Sequence, residues 1–204
     1  MRRLLLTLCI ALPLLLGCGD DEEETTVTGT ETVTEATTGT GTATEAATPT
    51  GEGPRGELSR RGIGSVEVGM TTGEVEKAFG APDLERQVTG CPLAGPDAPP
   101  ILQWTWNLQD GSAVLDFEVA GRALISYRTT STALPTTAGV RVGDSFKTLR
   151  QSYGGTLKGL PLGAKPTETV GFWYVGKPAK LWQLFDLRGG KIKNIQGGDV
   201  QICE

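Results

Sequence analysis

Apolar residues recur at every second position over two neighbouring stretches in the middle of the chain. These positions are Leu102, Trp104, Trp106 and Leu108, then Ala113, Leu115, Phe117 and Val119. A period of two predicts β-strands with one buried face. The Asp110-Gly111 pair between the stretches is typical of a tight turn, so the two strands should form a hairpin. The pattern therefore predicts an antiparallel sheet with Trp104 and Trp106 in its core.

Two short segments have the spacing and the cap residues of helices. Thr71 followed three residues later by Glu74 is a capping-box pattern, and Ser145 is a second N-cap candidate. Gly80 and Gly154 stand where these helices should end. We expect each helix to pack on one face of the sheet.

The pattern between residues 59 and 204 occurs twice. Val66–Thr71 matches Val140–Ser145 at an offset of 74 residues, and Phe117–Gly121 matches Phe185–Gly189 at an offset of 68. Several matches in the same order indicate an internal repeat. The predicted fold class is therefore α+β, with two tandem helix-plus-antiparallel-sheet repeats, residues 59–132 and 133–204, and the helices on one sheet face.

The first 18 residues have the pattern of an export signal. Arg2 and Arg3 precede a short apolar run that ends in Leu15-Leu16-Gly17-Cys18. The run is too short to span a membrane, which takes about 20 apolar residues. The last four residues resemble a bacterial lipobox. This resemblance implies removal of residues 1–17, acylation of Cys18 with chains such as palmitate, and attachment to the cell membrane or envelope. The alternative is an ordinary signal peptide that leaves Cys18 as a thiol.

Residues 18–58 have a composition that cannot form a core. Thr fills half of the positions between Thr25 and Thr50, and residues 19–58 carry ten acidic side chains against Arg55 alone. We expect a disordered tether here, because such a segment cannot bury enough apolar surface to offset its ordering entropy. The remaining 146 residues are nearly neutral, with 16 basic and 14 acidic groups. No basic run exists, which argues against nucleic-acid binding.

The cysteine and histidine counts restrict the chemistry. After loss of the signal and acylation of Cys18, Cys91 and Cys203 remain, and an exported protein favours a disulfide between them. Two separate thiols are the alternative. The chain has no His, which removes the usual general base and a common metal ligand. We interpret Asp116 and Glu118 as the solvent-facing positions of a strand rather than as a catalytic pair. The prediction is a protein without catalytic activity, metal or cofactor.

A family resemblance supports a binding role. The residues Gly69-Met70-Thr71, then Val75, then Phe79-Gly80-Ala81-Pro82 resemble the helix-opening motif of BamE/SmpA-type envelope lipoproteins. That module also resembles the one that occurs in tandem in the β-lactamase inhibitory protein (BLIP-like). The resemblance implies a protein-binding adaptor or inhibitor, because BamE-type proteins are assembly subunits and the inhibitor grips an enzyme with its open sheet face. It carries over no partner and no contact residue.

The 68-residue offset also assigns faces to the strands of the second repeat. It puts Phe172, Tyr174 and Phe185 toward the helices, so their neighbours along each strand point to the open face. Two exposed Trp side chains on one face are typical of a binding hot spot. The predicted protein-binding surface consists of Trp173, Trp182, Leu184 and Lys180.

Two alternatives remain open for these aromatic residues. A register error of one residue would exchange the faces, or both Trp side chains could be buried between the repeats. The same aromatic residues could instead bind a small ligand or a cell-wall glycan by stacking. A pocket with polar groups beside the Trp side chains would favour such a ligand, whereas a flat apolar face would favour a protein partner.

Overall fold

The computed structural model describes residues 52–89, 99–177 and 180–200. Within these ranges the chain forms ten strands and two eight-residue α-helices. In chain order the elements are β1 (Gly62–Ile63), β2 (Val66–Glu67), α1 (Thr72–Phe79), β3 (Leu84–Val88), β4 (Ile101–Leu108), β5 (Gly111–Glu118), β6 (Leu124–Thr129), α2 (Phe146–Tyr153), β7 (Lys158–Leu160), β8 (Val170–Gly176), β9 (Trp182–Arg188) and β10 (Lys191–Gly198).

The helix caps lie where the sequence predicts them. The Thr71 hydroxyl accepts a hydrogen bond from the Glu74 backbone N–H, and the Glu74 carboxylate accepts one from the Thr71 backbone N–H at 2.8 Å. At α2 the Ser145 hydroxyl accepts from the Thr148 N–H at 3.2 Å. These bonds satisfy backbone donors that no helical carbonyl can reach. The N-cap predictions are confirmed.

One antiparallel sheet of eight strands forms the body of the described residues, in the order β3-β4-β5-β6-β10-β9-β8-β7. The predicted α+β class with two separate helix-plus-sheet repeats is wrong, because the fold is mainly β and its sheet is continuous. The physical reason is the pairing of β6 with β10, from Thr129 opposite Ile195 to Ser126 opposite Gly198. Each strand satisfies the other's backbone groups, so neither becomes an open edge.

Both helices pack against the same face of this sheet, where most of the core lies. From α1, Phe79 contacts Trp106 edge-to-face with ring centroids 6.0 Å apart. From α2, Phe146 contacts Trp173, with centroids 4.6 Å apart. Trp104 and Trp106 are only 4% and 3% exposed, which confirms their predicted core positions. The predicted hairpin is also confirmed, with Leu108 opposite Gly111.

The faces of β8 are reversed relative to the prediction. Trp173 points toward α2, and Phe172 and Tyr174 lie on the other face. The cause is the length of the loop that precedes β9. Five residues separate Gly176 from its partner Trp182, whereas two residues separate the corresponding pair in the β4–β5 hairpin. An odd difference in loop length moves each side chain of the strand to the opposite face.

A chain of hydrogen bonds links β6 to β9 across the intervening strand β10 on the helix face. The Tyr127 hydroxyl donates to the Ser59 carbonyl at 2.7 Å and accepts from the Gln183 amide at 3.2 Å. The Tyr153 hydroxyl of α2 donates to the Gln183 side-chain oxygen at 3.0 Å. Burial raises the pKa of the Tyr127 and Tyr153 phenols, so both stay neutral.

The chain joins this fold through a short segment before β1. Leu58, the last residue assigned to the tether, is fully buried, and the Gly53 N–H donates to the Phe79 carbonyl at 3.1 Å. Cys18, Cys91 and Cys203 lie outside the described residues. The lipidation, the disulfide and the disorder of residues 18–51 therefore stay predictions.

Candidate functional site

The four residues predicted as one binding surface do not come together. Trp182 and Leu184 are 4% and 1% exposed, and they form a small cluster with Val200 on the face away from the helices. Trp173 lies on the helix face, while Lys180 is exposed in the loop before β9. The four side chains therefore share no common surface in this fold. The reversed faces of β8 separate Trp173 from the other residues, and burial removes Trp182 and Leu184 from contact with a partner.

A cleft lies beside α2 and is lined by described residues. It has a volume of about 380 Å³ and lies between α2, the turn that follows it and the loop before β8. Its lining combines two aromatic rings, a proline and a few charged or polar groups: Phe146, Arg150, Gly154, Gly155, Leu157, Pro166, Thr167, Glu168 and Trp173. Concave sites with an apolar lining and few polar groups are typical of ligand binding.

Trp173 is a partly exposed and firmly held side chain at this cleft. Its indole N–H donates to the Thr167 carbonyl at 3.2 Å, and its ring packs against Phe146. Gly159 on the neighbouring strand leaves space for this arrangement. A Cβ there would lie 3.6 Å from the Trp173 ring and 2.5 Å from Pro166 Cγ. The ring is thus positioned before any ligand arrives, which lowers the entropy cost of binding.

Charged side chains surround the aromatic lining. Arg150 and Glu168 form an ion pair at 3.5 Å, with side chains 69% and 71% exposed. Such an exposed pair contributes little stability and can exchange its partners. A second lobe of about 350 Å³ continues along α2, where Lys147 and Gln151 join Phe146, Arg150 and Glu168. The two lobes share three residues, so aromatic and charged groups lie side by side.

Two carboxylates outside the cleft, those of Asp110 and Asp116, have hydrogen-bond partners that support the fold. Hydrogen bonds from Thr132 and Ser131 lower the pKa of Asp110 to about 2, in the turn between β4 and β5. Asp116 accepts from Gln103 at 2.8 Å and from Ser126 at 2.9 Å, in a polar row across the sheet.

Over residues 52–89, 99–177 and 180–200, no three acidic or Cys side chains gather into a potential metal site. Neither helix within these ranges is long and apolar enough to cross a membrane.

Sequence reasoning identified Trp173 but missed the rest of the cleft. Phe146 and Arg150 are four residues apart, so they share one side of α2. This spacing could have indicated that an aromatic and a basic side chain lie together on α2. Nothing in the sequence places Pro166 and Glu168 beside them, because that contact depends on the path of the loop between β7 and β8.

Comparison with known proteins leaves the family open. No family model matches the chain, and no curated protein matches it. An extracellular protein containing an SCP domain from Bacillus anthracis str. Ames is similar in structure, with a TM-score of 0.41 and 9% identity. The match covers 65% of this chain and only 44% of that one, so this chain spans less than half of its length.

The uncharacterized protein yfeY from Escherichia coli is similar at a TM-score of 0.42 and 12% identity, over 70% of this chain and 99% of that one. These scores are too low to carry an argument about fold or function. The resemblance to BamE/SmpA-type proteins and to the β-lactamase inhibitory protein stays a prediction.

Proposed function

We propose that this chain is an exported, lipid-anchored binding protein without catalytic activity, and that it binds a saccharide in the cleft at Trp173. The single observation that carries the proposal is the held, partly exposed Trp173 ring in a concave site with polar groups at its rim. Residues 1–18 supply the export and anchoring part, with Cys18 as the acylated residue.

A saccharide suits this cleft for chemical reasons. One side of a sugar ring presents C–H groups that stack on an aromatic face, while its hydroxyls need hydrogen-bond partners at the edge. Trp173 and Phe146 offer the aromatic surface. Arg150 offers donors and Glu168 offers acceptors beside it. The cell wall is the natural source of such a ligand for an exported, membrane-attached protein.

The geometry favours this reading over a protein-binding surface. A protein hot spot usually combines several exposed anchors on one patch. Trp182 and Leu184 are buried, and Lys180 lies in a loop on its own. A cleft of about 380 Å³ with mixed aromatic and polar lining is the size of a small-ligand site.

The test compares two aromatic residues of the same strand. The full chain, purified in detergent micelles, is titrated with cell-wall oligosaccharides by calorimetry. We expect Trp173→Ala to weaken binding at least about tenfold, because the stacking surface is lost. Tyr174→Ala is the matched control: Tyr174 is the next residue of β8, also partly exposed, and points to the other face. It should leave the affinity unchanged.

A second variant tests the cleft without removing the aromatic ring. Gly155 lines the cleft, has no positive φ, and a Cβ there would contact nothing within 4 Å. Gly155→Leu should therefore fold and obstruct the ligand. Gly73→Leu on α1 has the same open surroundings far from the cleft and serves as its control. The proposal fails if no oligosaccharide binds, or if Trp173→Ala and Gly155→Leu both bind like the unmodified chain.

A further inference from the structure

We infer that the saccharide carries a negative charge, and that Lys147 and Arg150 bind its anionic group beside the Trp173 ring. This inference rests on the proposed function, because it names the ligand class for the same cleft. The observation behind it is the second lobe of the cleft, where a basic pair lies next to the aromatic lining.

The basic pair belongs to one side of α2. Lys147 and Arg150 are three residues apart, so their side chains are neighbours on the helix surface. Both line the second lobe, and Arg150 lines the first lobe as well. Arg150 is therefore common to the lobe that contains Trp173 and the lobe that contains Lys147.

The charges of the cleft are not balanced from within. Glu168 is the one acidic residue that lines either lobe, and its bond to Arg150 is long and exposed. Among the residues that the structure describes, no carboxylate lies within 4.0 Å of the Lys147 ammonium group. A ligand anion can thus bind Lys147 without displacing a carboxylate. Binding to Arg150 requires breaking its ion pair with Glu168, which costs little free energy because the pair is exposed.

The fold itself does not require these positive charges. Counted from the N-cap, the positions of Lys147 and Arg150 in α2 correspond to Gly73 and Glu76 in α1. Both helices nevertheless pack on the same sheet face. A helix can therefore pack on this sheet face without basic residues at these two positions.

The chemistry of the pair defines the anion. A guanidinium donates two parallel hydrogen bonds to a carboxylate or a phosphate, and an ammonium adds a point charge. The ligand class is therefore a sugar ring with a carboxylate or phosphate substituent. The two anions share this recognition, so the experiment separates them.

Three probes test the inference by calorimetry with the full chain in micelles. They are chitotetraose, which is neutral, a hyaluronan tetrasaccharide, which carries carboxylates, and a phosphomannan oligosaccharide, which carries phosphates. We expect at least one anionic probe to bind about tenfold more tightly than chitotetraose at low salt. The preference should shrink as salt rises, because exposed charges are screened. The anionic probe with the higher affinity identifies the substituent as a carboxylate or a phosphate.

The decisive variant is Lys147→Gln/Arg150→Gln. It should abolish the preference for the anionic probe, measured as the ratio of its affinity to that of chitotetraose in the same variant. Lys77→Gln/Lys193→Gln removes the same net charge from exposed residues outside the cleft, and it should keep the preference.

The outcomes separate the inference from the proposed function. Equal binding of neutral and anionic probes, or equal loss of preference in both double variants, overturns the inference alone. Probe binding that is insensitive to Trp173→Ala overturns the proposed site, and absence of binding to all three probes overturns both.

Discussion

At the scale of single residues, Gly197 leaves space for the Tyr127 ring on the neighbouring strand. A Cβ at Gly197 would lie 2.6 Å from Tyr127 Cζ. The Tyr127 ring cannot move aside freely, because it is 1% exposed and its hydroxyl bonds Ser59 and Gln183. A glycine is therefore required at position 197 because the Tyr127 ring fills the space of a side chain. Strand propensities do not predict this requirement.

We expect Gly197→Ala to lower the free energy of unfolding by about 1–3 kcal/mol, the usual cost of overpacking a core. Urea unfolding followed by circular dichroism measures this change. Gly155→Ala is the control, since its new Cβ meets open space, and it should change stability by less than about 0.5 kcal/mol. Equal stability of Gly197→Ala and the unmodified chain would show that the Tyr127 ring yields.

Asp110 provides a pH test at the same scale. Hydrogen bonds from Thr132 and Ser131 hold its pKa at about 2, below the ordinary value of 3.8. A carboxyl group with a lowered pKa stabilises the fold when the pH is above its ordinary pKa of 3.8. This contribution to stability disappears as the pH falls through about 2. Asp110→Asn should cost about 1 kcal/mol at pH 7, a figure reduced for the exposure of this residue. Its deficit should shrink between pH 4 and pH 2.

Unfolding titrations at pH 7, 4, 3 and 2 measure that deficit. Glu57→Gln is a suitable control, because Glu57 is also exposed and its side chain makes no hydrogen bond to another described residue. A deficit for Asp110→Asn that stays constant with pH would contradict the assignment of its charge to stability.

At the scale of elements, the sequence predicted the features that depend on interactions between neighbouring residues. The caps at Thr71 and Ser145 and the β4–β5 hairpin were predictable, because each depends on a few adjacent residues. The faces of β8 were not, since they depend on the loop of residues 177–181. One loop therefore decided whether Trp173 lies in the cleft or on the other face.

The two helix caps differ in a testable way. Thr71 and Glu74 bond each other reciprocally, whereas Ser145 has Thr148 at the position of the glutamate. Thr71→Ala should cost about 1 kcal/mol and Ser145→Ala about half of that, because the Thr71 hydroxyl also donates to the charged Glu74 carboxylate, whereas the Ser145 hydroxyl bonds the neutral Thr148 hydroxyl. Urea unfolding midpoints at constant slope give both values. A larger loss at Ser145 would contradict this ranking.

At the scale of the whole molecule, the pairing of β6 with β10 makes one sheet out of strands that are distant in sequence. The predicted separate repeats failed at this level. Alternation along a strand identifies its buried face but carries no information about which strand becomes its neighbour. The cleft was unpredictable for the same reason, since α2, Pro166 and Trp173 meet only in the folded chain.

A continuous sheet should unfold as one unit, and the Trp residues allow a test. Trp104→Phe/Trp106→Phe leaves Trp173 and Trp182 as fluorescent reporters in β8 and β9. Adding Leu115→Ala in β5, where Leu115 is fully buried, should destabilise the chain by about 2–5 kcal/mol. The distant reporters should show the full shift in midpoint. An unchanged fluorescence midpoint would indicate two independently unfolding parts.

The entry of the chain at Leu58 has a mechanical consequence. A pulling force applied from the N-terminal side first meets the bonds of Gly53 to Phe79 and of Leu58 to Pro135 and Thr137. These bonds hold a short segment at the margin of the fold, while the eight strands lie behind it. Under tension the segment from Glu52 to Glu57 should peel away before the buried Leu58, and it spans at most about 20–22 Å when extended, at about 3.3–3.6 Å per residue. This segment would extend at a lower force than the sheet, so the cleft beside α2 would keep its shape.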